Sequence, residues 1–190
     1  MPRPSVREQL VSSGLETLHA QGFNGCSIQD ITDAAGVPKG SFFNHFRNKE
    51  ALALEVLGRY GEGSRIDILF DKSNPPIERL RQHFNFLADA YEKWGFERGC
   101  LLGNFASEMA TSHPDMREAL RQIFEVWSGA VSSVLREAQI AGDISPHHDP
   151  DQLGRFLVNA WEGVAMRLKV VRNRAPVIEF FNICFRLLLK

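Results

Sequence analysis

Hydrophobic side chains recur every three or four positions along most of the chain, as they do in amphipathic helices. The first such series is Val6, Leu10, Val11, Leu15 and Leu18. Nowhere do apolar and polar residues alternate over a sustained stretch, which is the pattern of half-buried strands. The pattern predicts an all-α fold of about nine helices.

Breaker and capping residues give the expected limits of these helices. Pro4 and Ser5 open the first helix, and Gly22 stops it after Gln21. Ser27 and Asp30 have the spacing of a capping box at the start of the second helix, and Gly36 ends that helix. The remaining helices are expected over 39–46, 49–70, 76–94, 99–111, 114–141, 151–172 and 176–189.

The charge composition restricts how the protein can bind nucleic acid. Of 190 residues, 22 are Lys or Arg and 23 are Asp or Glu, for a formal net charge of −1. A generally basic nucleic-acid coat and an acidic disordered tail both require a large excess of one sign. Any binding to DNA must therefore depend on a local group of charges.

Other segments exclude several classes of protein. No uncharged stretch reaches the ~18 residues of a membrane span, and the chain start lacks the apolar run of a signal peptide, so we expect a cytoplasmic location and no membrane partner. Cys26, Cys100 and Cys184 are odd in number and lack CxxC spacing. We predict no disulfide framework, no metal site and no cofactor.

The first fifty residues have the layout of a helix-turn-helix, in which the second helix of the motif enters a major groove. The candidate reading helix, 39–46, follows a turn that contains Gly36. Between Gly36 and Lys49 the basic residues are Lys39, Arg47 and Lys49, His45 is titratable, and there is no acid. An acid-free edge of this kind is where DNA phosphates are expected to lie.

Each side chain of this segment has an expected role. Phe42 and Phe46, four residues apart, lie on one helix face and should anchor the helix to Leu15, Ile28 and Ile31. Gly40, Ser41 and Asn44 suit base edges or phosphates, since Asn is a good bidentate partner for adenine. Lys39, Ser27 and the start of the helix at Lys49 would present charge, hydroxyl and amides to phosphates.

The segment Gly22-Phe23, followed by Ser27-Ile-Gln-Asp-Ile-Thr and then by Ala35-Gly-Val-Pro-Lys-Gly-Ser-Phe-Phe-Asn-His-Phe-Arg-Asn-Lys-Glu-Ala-Leu52, resembles the DNA-binding domain of TetR-family regulators. The resemblance covers residues 5–57 without a gap. It differs at Phe43, where the family usually has a Tyr whose hydroxyl touches a phosphate. The predicted DNA-binding residues are Ser27, Lys39, Gly40, Ser41, Phe43, Asn44, His45 and Lys49.

The resemblance also implies an assembly and a mode of control. It divides the chain into a DNA-binding domain, 1–48, and a ligand-binding and dimerisation domain, 49–190. The last two helices are expected to form a four-helix interface in a homodimer on a near-palindromic operator in double-stranded DNA, with the two reading heads ~34 to 36 Å apart. A small-molecule inducer would release the homodimer from the operator. The last helix, apolar nearly all round, supports such an interface, and burial within one subunit is the alternative.

A ligand pocket is expected among the aromatic residues of the central helices. A pocket needs a few convergent polar groups between apolar walls, and Asn104, Glu108 and Glu162 are candidates for that role. Aromatic stripes at helical spacing are more often simply core. The candidate pocket residues are Phe84, Leu87, Tyr91, Trp94, Cys100, Asn104, Phe105, Glu108, Trp127 and Trp161.

Cys100 is a candidate sensor of electrophiles or oxidants. The sequence Gly99-Cys100-Leu101 resembles the start of the sixth helix in a TetR branch that includes such regulators. A cysteine in the first turn of a helix meets the positive end of the dipole, which favours the thiolate, and Arg98 acts in the same direction. Lys169 is a further cation that would approach the thiol if the fold permits. The alternative is that Cys100 only fills a tight helix crossing.

Two other functions are compatible with parts of the pattern. An enzyme would use Cys100 with His113 or His83 as base, but nothing fixes such a pair, and no glycine-rich oxyanion or phosphate loop is present. A helical adaptor would have no reason to exclude acid from 36–49. The sequence therefore predicts a ligand- or thiol-responsive transcriptional regulator, by family habit a repressor, and not an enzyme.

Overall fold

The structure is a computed structural model that describes residues 5–189. Over that range it contains nine α-helices, a 3-10 turn, a π-helical turn and no strand, which confirms the all-α prediction. Arg3 and Pro4, the second of which we expected to open the first helix, lie outside the described residues. The helices are α1 Val6–Gly25, α2 Ile28–Ala35, α3 Lys39–Phe43, α4 Lys49–Glu62, α5 Pro76–Lys93, α6 Leu101–Met109, α7 Pro114–Ala141, α8 Pro150–Val171 and α9 Ala175–Ile183.

The first two helices begin and end at the residues that carry capping chemistry. The Ser5 hydroxyl accepts from the Glu8 N–H at the start of α1. Gly22 has φ 78° and ψ 171°, so the helical path is interrupted there although the hydrogen-bonded segment continues to Gly25. Both hydrogen bonds of the Ser27–Asp30 capping box are present, and Gly36, at φ 65°, ends α2.

Two helices are shorter than predicted. The third was expected over 39–46 but ends at Phe43, because the N–H of Asn44 and of His45 turn to carbonyls three residues back. The chain is then extended at Asn48, whose side chain accepts from the Ala51 N–H and caps α4. The prediction of one helix over 49–70 is also wrong: α4 ends at Glu62, Arg65 is left-handed at φ 52°, and a 3-10 turn covers Ile66–Phe70.

The predicted ends of α6 and of the last helix are corrected as well. Gly99 has φ 66° and cannot belong to a right-handed helix, so α6 begins at Leu101 and Cys100 precedes it. The helix expected over 176–189 is α9 followed by a π-helical turn, Cys184–Leu188. None of the described helices is long and apolar enough to cross a bilayer.

The chain forms two compact units. The first contains the residues up to Gly63 together with Leu101–Leu120, and the second contains Ser64–Cys100 with the residues from Arg121 onward. This division by packing groups α4 and α6 with the first three helices, whereas the sequence division put all residues from 49 onward in one domain. In the first unit α1 packs against α2, α4 and α6; in the second α8 packs against α9.

Candidate nucleic-acid interface and ligand site

The acid-free segment lies on the surface of the first unit. Lys39, Gly40, Phe43, Asn44 and His45 are all exposed, and we refer to them as the α3 edge. Ser41 is half-buried and Arg47 is exposed, and neither α3 nor the turn after it contributes an acidic side chain. The α3 edge therefore combines an ammonium, an amide, an imidazole and a bare stretch of backbone.

Two phenylalanines hold the α3 edge in position. Phe42 is fully buried and Phe46 is 5% exposed, and their ring centroids lie 5.7 Å apart. Ile31 of α2 is fully buried in the same unit. The burial of both rings agrees with the predicted anchoring role of the pair, and their contacts with Leu15, Ile28 and Ile31 stay a prediction. Phe43, between them, points the other way and is 56% exposed.

Gly40 leaves room for an approaching molecule. A Cβ added at Gly40 meets no atom within 4 Å, so the free protein does not need glycine there for packing. Gly58, inside α4, has the same open surroundings and lies away from the α3 edge in sequence. These two glycines provide a matched pair for experiments.

Two predicted phosphate ligands are already engaged with the protein. The Lys49 ammonium donates to the carbonyls of Phe23 and Cys26 at 2.6 Å each and lies 4.2 Å from the centroid of the Phe23 ring. The Ser27 hydroxyl donates to the Asp30 carboxylate at 2.6 Å, and the hydrogen bonds from Ser27 are the main cause of the lowered pKa of that carboxyl. Lys49 thus joins α4 to the connection between α1 and α2.

Three predicted ligand residues belong to the first unit instead. Asn104 is half-buried, and the ring of Phe105 meets that of Phe23 edge-on at 6.5 Å. A Glu108 carboxylate oxygen accepts from the Asn24 N–H at 2.7 Å, and the same carboxylate lies against Gly22. Glu108 of α6 therefore stabilises α1 at Gly22, where its helical path is interrupted. This contact could not be predicted from the sequence.

The other aromatic candidates form the core of the second unit. Trp161 is fully buried, stacks with Tyr91 at 6.1 Å and meets Phe84 at 5.0 Å. Leu87 is buried as well, while Trp94 is half-buried with the Arg98 guanidinium 5.7 Å from its ring. The Trp161 Nε1–H is buried and has no hydrogen-bond partner among the described residues.

Trp127 has a polar partner that the sequence did not indicate. Its indole Nε1–H donates to Nε2 of His83 at 2.9 Å, and His83 is 1% exposed. Because Nε2 accepts, Nδ1 carries the proton of the neutral ring. Burial lowers the pKa of His83 to about 4, so the imidazole is uncharged at neutral pH.

Cys100 lies beside a buried carboxyl group of the second unit. Its thiol hydrogen-bonds to Glu162, and burial raises the pKa of Glu162 to about 7. The other oxygen, Oε1, is buried without a hydrogen-bond partner among the described residues. The stem of Lys169 lies against Gly99, so this lysine does approach the segment. Cys26 and Cys184 are buried, and burial raises the pKa of both thiols.

A surface groove of about 580 Å³ lies in the second unit, between the start of α5 and the end of α7. No predicted ligand residue lines it. Its charged groups pair with each other: Glu137 binds Lys72 at 2.8 Å and also the buried Arg79, whose Nε has no hydrogen-bond partner among the described residues. We assign it a structural role.

Apolar side chains are exposed on the last two helices. On α8 these are Phe156, Met166 and Val170, which fall on one face, with the bare Gly163 between them. Ile178 and Ile183 of α9 and Leu187 of the π-helical turn are more than half exposed. Grouped exposure of large apolar residues on helices is typical of interaction surfaces.

Comparison with known proteins identifies the family. Residues 10–56 match the model of bacterial regulatory proteins of the tetR family, and residues 76–183 match the tetracyclin repressor-like C-terminal domain. The chain belongs to the TetR family. As a TetR-family member it is a transcriptional regulator, which confirms both that prediction and the prediction that the chain is not an enzyme.

Individual TetR-family relatives align over nearly the whole chain. The transcriptional repressor DhaR of Mycobacterium sp. strain GP1 is 38% identical, covering 100% of this chain and 95% of DhaR. The regulator AcuR of Cereibacter sphaeroides is 36% identical, with 92% and 81% covered. A regulatory protein TetR from Rhodobacter sphaeroides has a solved structure with TM-score 0.90 and 34% identity, covering 95% and 97%.

Proposed function

We propose that the protein is a repressor that binds a near-palindromic DNA operator as a homodimer and releases it when a small molecule acts on the second unit. The observation that carries the proposal is the α3 edge: an exposed, acid-free surface on a helix anchored from behind by Phe42 and Phe46. The name of the relative DhaR as a repressor supports the direction of regulation.

Within the α3 edge, the proposed contacts divide by chemistry. Lys39, His45 and the Phe43 ring would meet the sugar-phosphate backbone, and Asn44 a base edge. Gly40 and Ser41 would let the helix backbone approach DNA closely. Ser27 and Lys49 remain in the proposed set with a smaller role, since their polar groups already bond to the protein.

A matched pair of glycine substitutions tests this proposal. Gly40→Ala and Gly58→Ala each add one methyl group, at helical positions with no atom within 4 Å. Both should stabilise the free protein slightly, by about 0.5 to 1 kcal/mol. In a fluorescence anisotropy titration with the DNA that flanks its own gene, Gly40→Ala should weaken binding at least tenfold and Gly58→Ala should not. Equal affinities would contradict the assignment of the edge.

The same titration at two salt concentrations separates DNA binding from other functions. Neutralising several phosphates with lysine and arginine releases counterions, so affinity should fall steeply as salt rises. An adaptor or an enzyme would show no specific complex at either concentration.

The exposed apolar side chains of α8 and α9 support a dimer built from these helices. Met166→Glu adds a charge to the apolar face of α8, and Ile140→Glu adds one on α7, at a side chain that is 88% exposed. Sedimentation velocity should find Met166→Glu monomeric and Ile140→Glu dimeric. Dimers of both variants would assign the interface elsewhere.

Release by thiol modification would act through Cys100. The hydrogen bond from Cys100 to Glu162 supports a chemical role for this thiol. Escherichia coli NemR, 25% identical with TM-score 0.82 and 92% of both chains covered, has a structure described as its reduced form. Cys100→Ser should prevent release from DNA by thiol reagents, and unchanged release would favour a pure packing role.

A further inference from the structure

The carboxyl group of Glu162 and the thiol of Cys100 form a hydrogen-bonded pair in the second unit. Cys100 is 5% exposed, and the Glu162 Oε1 atom is fully buried without a partner among the described residues. One turn away on α8 in either direction, the side chains are Val158, Asn159, Ala165 and Met166, none of them charged. The carboxyl group therefore has the thiol as its neighbour and no cation on its own turn.

Charged groups on the surrounding elements do not neutralise Glu162. Arg98, in the segment before α6, lies over the ring of Trp94. His83, on α5, accepts a hydrogen bond from Trp127 and is neutral. Lys169 lies two turns along α8, with its stem against Gly99. Burial, followed by the Cys100 hydrogen bond, accounts for the pKa of Glu162.

We propose that Glu162 is the proton acceptor through which Cys100 reacts with small, uncharged electrophiles such as α,β-unsaturated carbonyl compounds. This deepens the proposed thiol response and rests on it. The thiol is hydrogen-bonded to the Glu162 carboxyl group, and a general base must be within hydrogen-bond reach of the proton that it accepts. The other two thiols have different surroundings: Cys26 donates to the Ser27 carbonyl at 3.6 Å and has the Asp30 carboxylate only as a nearby charge, and burial alone raises the pKa of Cys184.

The reaction is an addition of S–H across a carbon–carbon double bond. The thiol proton moves to the Glu162 carboxylate while the sulfur electron pair forms the S–C bond at the β-carbon. The π electrons shift to the carbonyl oxygen as an enolate, and the proton then passes from Glu162 to the α-carbon. The carboxylate is regenerated and nothing is oxidised or reduced.

Burial explains both the direction of proton transfer and the choice of electrophile. A neutral carboxylic acid costs less free energy in a buried site than a carboxylate does, so burial makes Glu162 a stronger proton acceptor, and the negative charge passes to the electrophile as the enolate forms. An anionic reagent would lose its own hydration and face the carboxylate as well. The site should therefore prefer a neutral reagent over an anionic one of the same size.

The pH dependence of Cys100 alkylation tests the role of Glu162. The rate with N-ethylmaleimide is measured on the full-length protein from pH 5.5 to 9.5, and the Cys100 peptide is quantified by mass spectrometry. With Glu162 as acceptor, the rate should rise through a step near pH 7. A thiol that ionises alone would give a step near ~8.5 instead.

Two variants make the result specific. Glu162→Gln keeps the side-chain volume, should remove the step near pH 7 and should slow alkylation at pH 7.5 by about tenfold or more. Glu179→Gln, an exposed position on α9, should behave as wild type. If wild type and Glu162→Gln share one step near ~8.5, the proposal is wrong. Should Glu162→Gln not fold, the position of the wild-type step decides alone.

Two further measurements separate this inference from the proposed function. Iodoacetamide should alkylate Cys100 faster than the anionic iodoacetate does. Glu162→Gln should lower the ratio of these two alkylation rates. The same ratio in wild type and variant would overturn the assigned selectivity. DNA release is followed separately by anisotropy. Glu162-dependent alkylation without release would refute only the thiol-responsive function, whereas release with identical pH profiles in wild type and Glu162→Gln would refute only the role of Glu162.

Discussion

Gly22→Ala should destabilise the protein strongly, because two independent features require glycine at this position. The backbone at φ 78° and ψ 171° lies in a region open almost only to glycine, at a cost of about 1 to 3 kcal/mol for another residue. An added Cβ would also overlap the Glu108 carboxylate that accepts from the Asn24 N–H. Loss of that charge-assisted hydrogen bond costs about 1.5 to 3 kcal/mol.

These terms set the size of the effect. Alanine lowers the conformational entropy of the unfolded chain, which offsets about 0.4 to 1 kcal/mol of this cost. The net loss of unfolding free energy is then roughly 2 to 5 kcal/mol. For a chain of this size, each kcal/mol lowers the melting temperature by about 2 to 4 °C. Urea unfolding should show the lower free energy, and thermal unfolding should show a melting temperature lower by about 4 to 20 °C. Both are measured at one fixed protein concentration because the proposed dimer would contribute to stability.

Two comparisons identify the cause. Gly25→Ala, in the same helix, meets only the Gln21 side chain at 3.9 Å and should cost little. In a Glu108→Ala background, Gly22→Ala should cost at least about 1 kcal/mol less, since the overlapping carboxylate and its hydrogen bond are already gone. A loss below about 1 kcal/mol for Gly22→Ala alone, or full additivity with Glu108→Ala, would refute this reasoning.

Three further predictions follow from single contacts. Lys49→Met should lower the unfolding free energy measured in urea by about 2 to 3 kcal/mol, because two carbonyls lose a charged donor. Phe43→Tyr, at an exposed ring, should leave unfolding unchanged but tighten operator binding about 2- to 10-fold in anisotropy titrations, by adding a donor for a phosphate. Because the pKa of His83 is lowered to about 4 in the folded protein, its stabilising contribution is complete above pH 6.5 and is lost as the pH falls toward 4; His83→Gln should flatten urea-measured stability over that window.

Helix ends could be predicted from the sequence wherever a local side chain or glycine decides them. The Ser27–Asp30 capping box and Gly36 limit α2 at the predicted residues, because both partners lie within one turn. The end of α3 could not be predicted, since Asn44 and His45 are reasonable helix residues and the early exit depends on how Phe42 and Phe46 pack. The left-handed Arg65 likewise has no signal in its own sequence.

The candidate site divides in the same way. The α3 edge could be predicted because it depends on which residue types are absent from fourteen consecutive positions, 36–49. The hydrogen-bond partners of Lys49 and Glu108 could not be predicted, because Phe23 lies 26 residues from Lys49 and Asn24 lies 84 residues from Glu108 along the chain. Glu162 was a candidate polar group from its residue type, but its place beside Cys100 required the packed second unit.

The discontinuity of the first unit limits how such regulators exchange parts. Its residues come from two stretches, up to Gly63 and Leu101–Leu120, that are separated by Ser64–Cys100. A chimera that carried only the first stretch onto another regulator would deprive Phe23 of Phe105 and the Asn24 N–H of Glu108. Recombination, natural or engineered, should therefore transfer operator specificity intact only when both stretches move together or when the recipient supplies an equivalent carboxylate and ring.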